Sequence, residues 1–381
     1  MRKTVFSLFI LTTIFLFPPF LQADEVADLK KEVEKLKSRL EIVEAGQDEI
    51  GYQSSDLVSV SGYADVEYVI DDRSGVSDGF RTHHFSLLFQ KKVSEKWRFF
   101  SELEFEYAPK IGEEEKQTIT DSGGNTHDVV VTKNKEGRIY IEVLTIDYNY
   151  NPYLNLRAGR YLTPAGIWNV EHYTPFVATQ EKPQHIQNIF PKHMDGVQLF
   201  GTVTKNDVVT DYIAYMSNGS GNTGHGDEND DKSLGGRLRF KFPLLLRTEL
   251  GLSTYREKDN ADTELKAHGV DLNLHWKTFK LQAEYAKGTY DPVSGTDYDR
   301  VGYYGQLTYG MGKLETIYRY DWYDANDTVV QGDKSINTVA LHYHFNRSVC
   351  GKIEHHMIDN EGPATEDYDK TIATIALYFG E

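Results

Sequence analysis

The chain has 381 residues, with 41 Lys and Arg against 58 Asp and Glu and a formal net charge of −17. That balance excludes a general binder of nucleic acid, whose phosphates attract basic surface. Aromatic residues make up 13%, Tyr alone numbers 25 and the mean hydropathy is −0.52, a composition unlike that of a helical membrane protein.

Residues 1–23 read as a secretory signal peptide. Arg2 and Lys3 form a basic start, residues 5–17 an apolar core, and Ala23 precedes an acidic switch, so cleavage is expected after Ala23. No later apolar run reaches the ~18–20 residues that a spanning helix needs. The exported chain holds one cysteine, Cys350, and therefore no internal disulfide. In residues 24–50, Val26, Leu29, Val33, Leu36, Leu40, Val43 and Ile50 fall at steps of three and four among Lys and Glu. This is the pattern of a coiled-coil oligomerisation segment. Its three to four heptads are marginal alone and would assist an assembly held together elsewhere. A solvated amphipathic helix packed on its own chain is the alternative.

From Leu57 the helical period gives way to strict alternation. Sixteen strand segments are predicted, the first eight at 57–71, 79–91, 97–108, 138–148, 153–162, 196–204, 208–218 and 234–243. The second eight are at 245–256, 264–276, 279–290, 300–310, 313–323, 335–345, 349–359 and 368–379. The connections alternate between short turns and long polar loops, among them 109–137, 163–195 and 219–233. Tight turns at one end, long loops at the other and an even strand count predict a transmembrane β-barrel over 57–379. The segment lengths also suit tilted spanning strands. One or two soluble sandwiches would explain the strands but not the alternating loops. The apolar parity is expected to face lipid, as with Val339, Leu341 and Tyr343 or Ala373, Ile375 and Leu377. Aromatics such as Trp97, Trp276, Tyr303 and Trp322 gather near strand ends as girdles.

The opposite parity is polar and is expected to line an aqueous lumen. In "SELEFEYAP", residues 101–109, Glu102, Glu104 and Glu106 share one face of a strand. With Glu249 they form the expected acidic lining. Arg157, Arg237, Arg239, Lys241 and Arg247 form the basic lining. The third long loop, 163–195, carries more apolar residues than a solvated loop should, including Ile167, Trp168, Phe176, Ile189 and Phe190. Folded back into the lumen it would bury them and act as a constriction, bringing Glu171, His172, Lys182, His185, Lys192 and His193 to the path. Capping of the barrel mouth or packing on a neighbouring subunit would bury them as well.

At "LRAGRYLTPAGIWN" the sequence resembles the phosphate-selective porin O and P family. The likeness continues in order through "DGVQLFG" (195–201), "YMSNGSG" (215–221), "GGRLRFKFP" (235–243), "LQAEYAKG" (281–288) and "IYRYDWYD" (317–324). The resemblance implies a trimeric sixteen-strand outer-membrane porin with its third loop at the constriction; related coiled-coil-bearing porins, some of which take up dicarboxylates, are also similar. Where phosphate-specific members carry a ladder of arginines, this chain has the short row Arg237, Arg239 and Lys241 together with an acidic row. The chain ends "ALYFGE", with Phe379 as the equivalent of the family's terminal aromatic.

"DENDDKSLGGRL" has the acids of a calcium loop, but Lys232 and Leu238 stand where the sixth-position Gly and twelfth-position Glu are needed, so a solvated acidic loop is expected. His344 and Cys350 are placed opposite each other by the turn at 346–348, too few ligands for a metal. No spacing marks a catalytic triad. The expected protein is a passive porin for small charged or polar solutes, with phosphate or dicarboxylates among the candidate anions. It has no catalytic residues, metal or cofactor, and its partners are outer-membrane lipid and lipopolysaccharide, its own copies and small solutes, with no nucleic acid. An outer-membrane barrel enzyme of lipase type and an adhesin or tether are the competing functions.

Overall fold

The computed structural model describes residues 57–109, 113–120, 126–133, 137–219, 227, 229–243, 246–330, 332–362 and 366–380. The expected signal peptide (1–23) and coiled coil (24–50) lie outside the described residues. The described residues run through β1 (Ser59–Asp71), β2 (Gly79–Lys92), β3 (Trp97–Glu106), β4 (Glu113–Thr120), β5 (Thr126–Lys133) and β6 (Arg138–Asn151). It continues through β7 (Leu154–Leu162), β8 (His193–Lys205), β9 (Val208–Ser217), β10 (Ser233–Phe242), β11 (Thr248–Lys258) and β12 (Glu264–Trp276). The last six are β13 (Phe279–Asp291), β14 (Tyr298–Met311), β15 (Leu314–Asp324), β16 (Asp333–His344), β17 (Val349–Asn360) and β18 (Tyr368–Phe379).

Sixteen of these strands close into one antiparallel barrel in sequence order, with β4 and β5 left out as a separate two-stranded sheet. The seam pairs β1 with β18 from Gly62 opposite Phe379 to Asp71 opposite Lys370. Closure leaves no unpaired strand edge, the condition for placing a sheet in lipid. All sixteen predicted segments are strands. The β4–β5 hairpin is a departure: the sequence predicts only a polar loop across 109–137, although its Val129–Val130–Val131 run has strong strand propensity.

The outer face carries an apolar belt, with Ile353 and Ile375 58% and 61% exposed, while toward the long-loop end of β11 and β12 it turns polar at Arg256, Lys266 and His268. Paired rings mark the short-turn rim, where Trp97 meets Tyr148 at a tilt and Phe279 stacks with both Trp276 and Tyr309. The β8–β9 turn has positive φ at both central residues, Asn206 (49°) and Asp207 (62°). That twist matches antiparallel strands, and Asn and Asp tolerate it.

Two β-bulges interrupt the period of two. In the β1–β2 ladder Asp65 pairs with His84 and Val66 with Thr82, leaving His83 as the extra residue. In the β3–β6 ladder Glu102 pairs with Val143 and Leu103 with Ile141, leaving Glu142 extra. Each bulge sends two consecutive side chains inward, His83 with His84 and Glu142 with Val143.

Ile375→Arg, on the outer face near the middle of β18, is expected to cost about 2–4 kcal/mol in reversible unfolding from phospholipid vesicles. Val60→Arg, at the short-turn rim, is expected to cost about 0–1 kcal/mol. Equal costs at the two positions would mean that this face does not meet lipid.

Candidate functional site

The third long loop enters the barrel and stays there. Its two ends are tied where Thr163 N donates to Lys192 O at 3.0 Å and the Thr163 hydroxyl donates to Pro191 O. Just inside, Ala165, Ile189 and Phe190 pack with Tyr161, Met194, Tyr215, Tyr255, Leu265, Ala267 and Ala286 in a buried cluster. The inner wall of β7 to β13 therefore carries an apolar cluster toward its long-loop side, beside the buried Ser217, Ser233 and Glu257, where the sequence predicts only polar lining. Each large apolar side chain buried there stabilises the loop by roughly 1.5–3 kcal/mol. Trp168 is buried with Val177 and Tyr304 in a second cluster. Phe176 is the exception, 59% exposed beside Tyr378.

Irregular backbone inside a barrel needs partners for its amides and carbonyls. Charged wall residues provide them. Arg237 Nη1 donates to Gly166 O at 2.7 Å, and Lys352 Nζ donates to Thr174 O. Glu284 accepts from Trp168 N at 3.1 Å and from Tyr304 at 2.9 Å. Glu354 accepts from Gln180 N at 2.9 and 3.0 Å. Asp65 accepts from Thr174 Oγ1 at 3.0 Å and Gln180 Nε2 at 2.7 Å. Arg319 holds Thr179 Oγ1 and Asp321 and lies 5.6 Å over the Trp168 ring. Gly166 is required at its position: φ is +64°, and a Cβ would stand 1.9 Å from Glu284 Oε2.

This corrects an expectation about the inner face. Its charges need not all meet water, because Glu284, Arg319, Lys352 and Glu354 are buried against the loop. The same applies to the acidic row. All three glutamates of "SELEFEYAP" face inward, but Glu102 (0% exposed) is covered and Glu104 (2%) is nearly so, at the wall of a cavity it shares with Glu106. Tyr63 Oη is 3.0 Å from Glu102 and 2.9 Å from Glu104, and Ser86 Oγ donates to Glu104 at 3.1 Å. Tyr140 bridges Glu104 and Glu106. The bulge adds Glu142, which holds Lys192 at 2.6 Å and His193 at 2.6 Å. His172 Nε2 lies 3.7 Å from Glu102. Burial works against charge on Lys192, but Glu142 and Glu104 outweigh it and hold the pKa above the ordinary lysine value. Lys182 goes the other way, lowered by burial and by Lys192.

Glu106 lies at a cavity of about 580 Å³ lined also by His83, Arg138, Lys182 and Lys192. A second cavity, of about 230 Å³, brings Glu171 and Glu249 together with Arg237 and Arg239. The expected basic residues are on the inner wall, each beside an acid. Arg157 meets Asp147 at 2.7 Å, Arg237 meets Asp271 at 2.9 Å, and Arg239 and Lys241 both meet Asp211 at 2.9 Å. Arg247 is a correction: it sits exposed in the β10–β11 turn at φ 43°, below the start of β11, so it is not a wall residue. His185 is buried and stacks on Tyr304. Sequence reading missed as loop anchors Asp65, Glu142 and His83, whose Nδ1 lies 3.0 Å from Gln180 Nε2, since two of them depend on bulges that no single-strand pattern marks.

A 222-residue stretch, 54% of this chain, is 27% identical to an uncharacterized protein of Aquifex aeolicus (strain VF5) and spans 45% of that protein's length. Among solved structures the fold is similar to an anion-selective porin from Comamonas acidovorans, with a TM-score of 0.60 and 13% identity over 85% of this chain and 99% of that one. It is also similar to the outer membrane channel DcaP of Acinetobacter baumannii, with a TM-score of 0.56 and 14% identity over 84% and 97%. The profile of the Gram-negative porins matches residues 51–362. Closed sixteen-strand topology, an apolar outer belt and a sequence match over most of the chain agree, and the chain belongs to the Gram-negative porin family.

Proposed function

We propose that the chain is a passive diffusion channel of the outer membrane for small charged or polar solutes, with the third loop as its constriction. The observation that carries this reading is the course of that loop through the lumen, with charged cavities left beside it. Arg157, Arg237, Arg239 and Lys241 each have an acid within 2.9 Å. Fields across the lumen are then local and two-signed, which favours polar and charged solutes broadly over one anion. Phosphate and dicarboxylates, the cargo that the sequence resemblance implies, are the anions to test first. The proposed assembly is a homotrimer among outer-membrane lipid and lipopolysaccharide, with residues 24–50 as a periplasmic coiled coil. No catalytic role enters this reading. Sustained conductance in planar bilayers without an energy source, followed by a permeability series, tests it; a sealed bilayer would overturn it.

Glu104 and Glu106 line the same cavity, and of the three glutamates only Glu106 is partly exposed. Glu106→Lys is expected to at least double the chloride-to-potassium permeability ratio, read as zero-current potential in a salt gradient. Glu102→Gln should leave that ratio alone and cost about 1–3 kcal/mol of barrel stability by disturbing a buried bond. A ratio shift as large from Glu102→Gln would mean that the loop does not cover it.

His185 gives the docked loop a pH response. Burial, with Arg319 nearby, pushes its pKa down to about 3, whereas an undocked imidazole has about 6.5. A base with a depressed pKa takes up a proton on release. Its contribution to docking is therefore complete above pH ~6.5 and falls as the pH drops toward 3. The loss at pH 5 is about 2 kcal/mol. Transitions between conductance levels should be more frequent at pH 5 than at pH 7.5, with a smaller contrast in His185→Phe. An identical pH response in both proteins would remove His185 from this role.

A further inference from the structure

At the short-turn end of the lumen, inward residues of β15 and β16 converge on one point. Glu315 is directly opposite His342 in the ladder. His344 follows two residues on, so the period of two puts all three on the same face. Glu315 Oε2 stands 3.7 Å from His342 Nδ1 and 3.7 Å from His344 Nε2, and the two imidazole centroids are 4.2 Å apart. One donor atom from each residue lies within 4.8 Å of the other two.

These gaps are too long for hydrogen bonds and suit a shared ion. Two ligands of one tetrahedral zinc, each about 2.0–2.1 Å from the metal, stand roughly 3.4 Å apart. His342 is 2% exposed, and neither of its ring nitrogens has a hydrogen-bond partner. A buried imidazole left in that state is costly, so the missing partner needs an explanation. Glu315 and His344 are 35% and 38% exposed in their side chains and line a cavity of about 520 Å³ beneath Pro175 and Phe176. An ion therefore has an access route.

We propose that Glu315, His342 and His344 bind a divalent first-row transition-metal ion, with its remaining positions open to the cavity. Two imidazoles and one carboxylate are the donor set that zinc, nickel and copper favour over calcium or magnesium. Lys280 and Arg347 line the same cavity. Their charge favours an anion, chloride or a carboxylate, as the additional ligand and holds the affinity below that of an all-acid cage. Cys350, opposite His344 in register, is not part of the set, because its Sγ is directed at Pro175 O at 3.7 Å. Asp65 with His83 and His84 offers similar residue types, but Thr174, Gln180 and His84 already occupy that carboxylate.

The test is calorimetric titration of the refolded full-length protein in detergent with Zn²⁺, and visible absorption with Co²⁺. One ion per chain is expected, with the intense visible bands of low-coordinate cobalt. His344→Ala should weaken binding at least tenfold. His355→Ala, on the outer wall of β17, should leave it unchanged and excludes uptake by a surface histidine. The double change His342→Gln and His344→Gln keeps side-chain volume, and its folding is checked by heat-modifiable migration. Uptake of one Zn²⁺ per chain by that folded double variant would overturn the proposal, as would the absence of uptake by the unaltered protein.

Discussion

A segment with no regular structure beyond the short 3-10 helix Gln184–Gln187, drawn into the interior of a barrel, brings its unpaired amides and carbonyls with it. In this protein the charged residues of the wall pair them. Arg237 and Lys352 take carbonyls, while Glu284 and Glu354 take amides. The wall could not bury these charges without the loop, and the loop could not stay inside without the wall. The division of the lumen into separate charged cavities follows from that mutual dependence.

The same dependence sorts the acidic residues of β3. Three glutamates with one orientation have different surroundings: His172 of the loop lies against Glu102, Tyr63, Ser86 and Tyr140 of the wall enclose Glu104, and Glu106 is partly exposed at a cavity. Charge on a strand face is therefore a poor guide to charge met by a solute. Glu102 and Glu104 hold Tyr63, and through Glu142 the neighbouring wall holds Lys192 and His193. Glu106 is left where a permeating ion would feel it.

The barrel was legible in the sequence because strand pairing in lipid leaves a local mark: alternation, turn length and rim aromatics are all readable within a dozen residues. The loop's course was legible only in outline. Its apolar residues called for burial, but Trp168 meets Glu284 and Gln180 meets Glu354 across more than a hundred residues, and no local pattern records such pairs. The inner apolar cluster was hidden for a related reason. Where Tyr215 faces the loop and Met216 faces outward, both parities are apolar and alternation is silent. Arg247 falls within the predicted segment 245–256 and shares the parity of Glu249, but the left-handed turn there breaks the register.

The bulges at His83 and Glu142 bear on how the wall is numbered as well as on what it holds. Each shifts the phase of its strand by one residue. On β6 the outward side chains are Ile139 and Ile141 before the bulge but Leu144 and Ile146 after it, and on β2 they change from Phe80 to Phe85. Any map of this barrel drawn by labelling alternate positions, with cysteine-reactive or spin probes, would slip out of step partway along both strands. Odd and even residues exchange inside and outside at those two points, on the strands that flank β3.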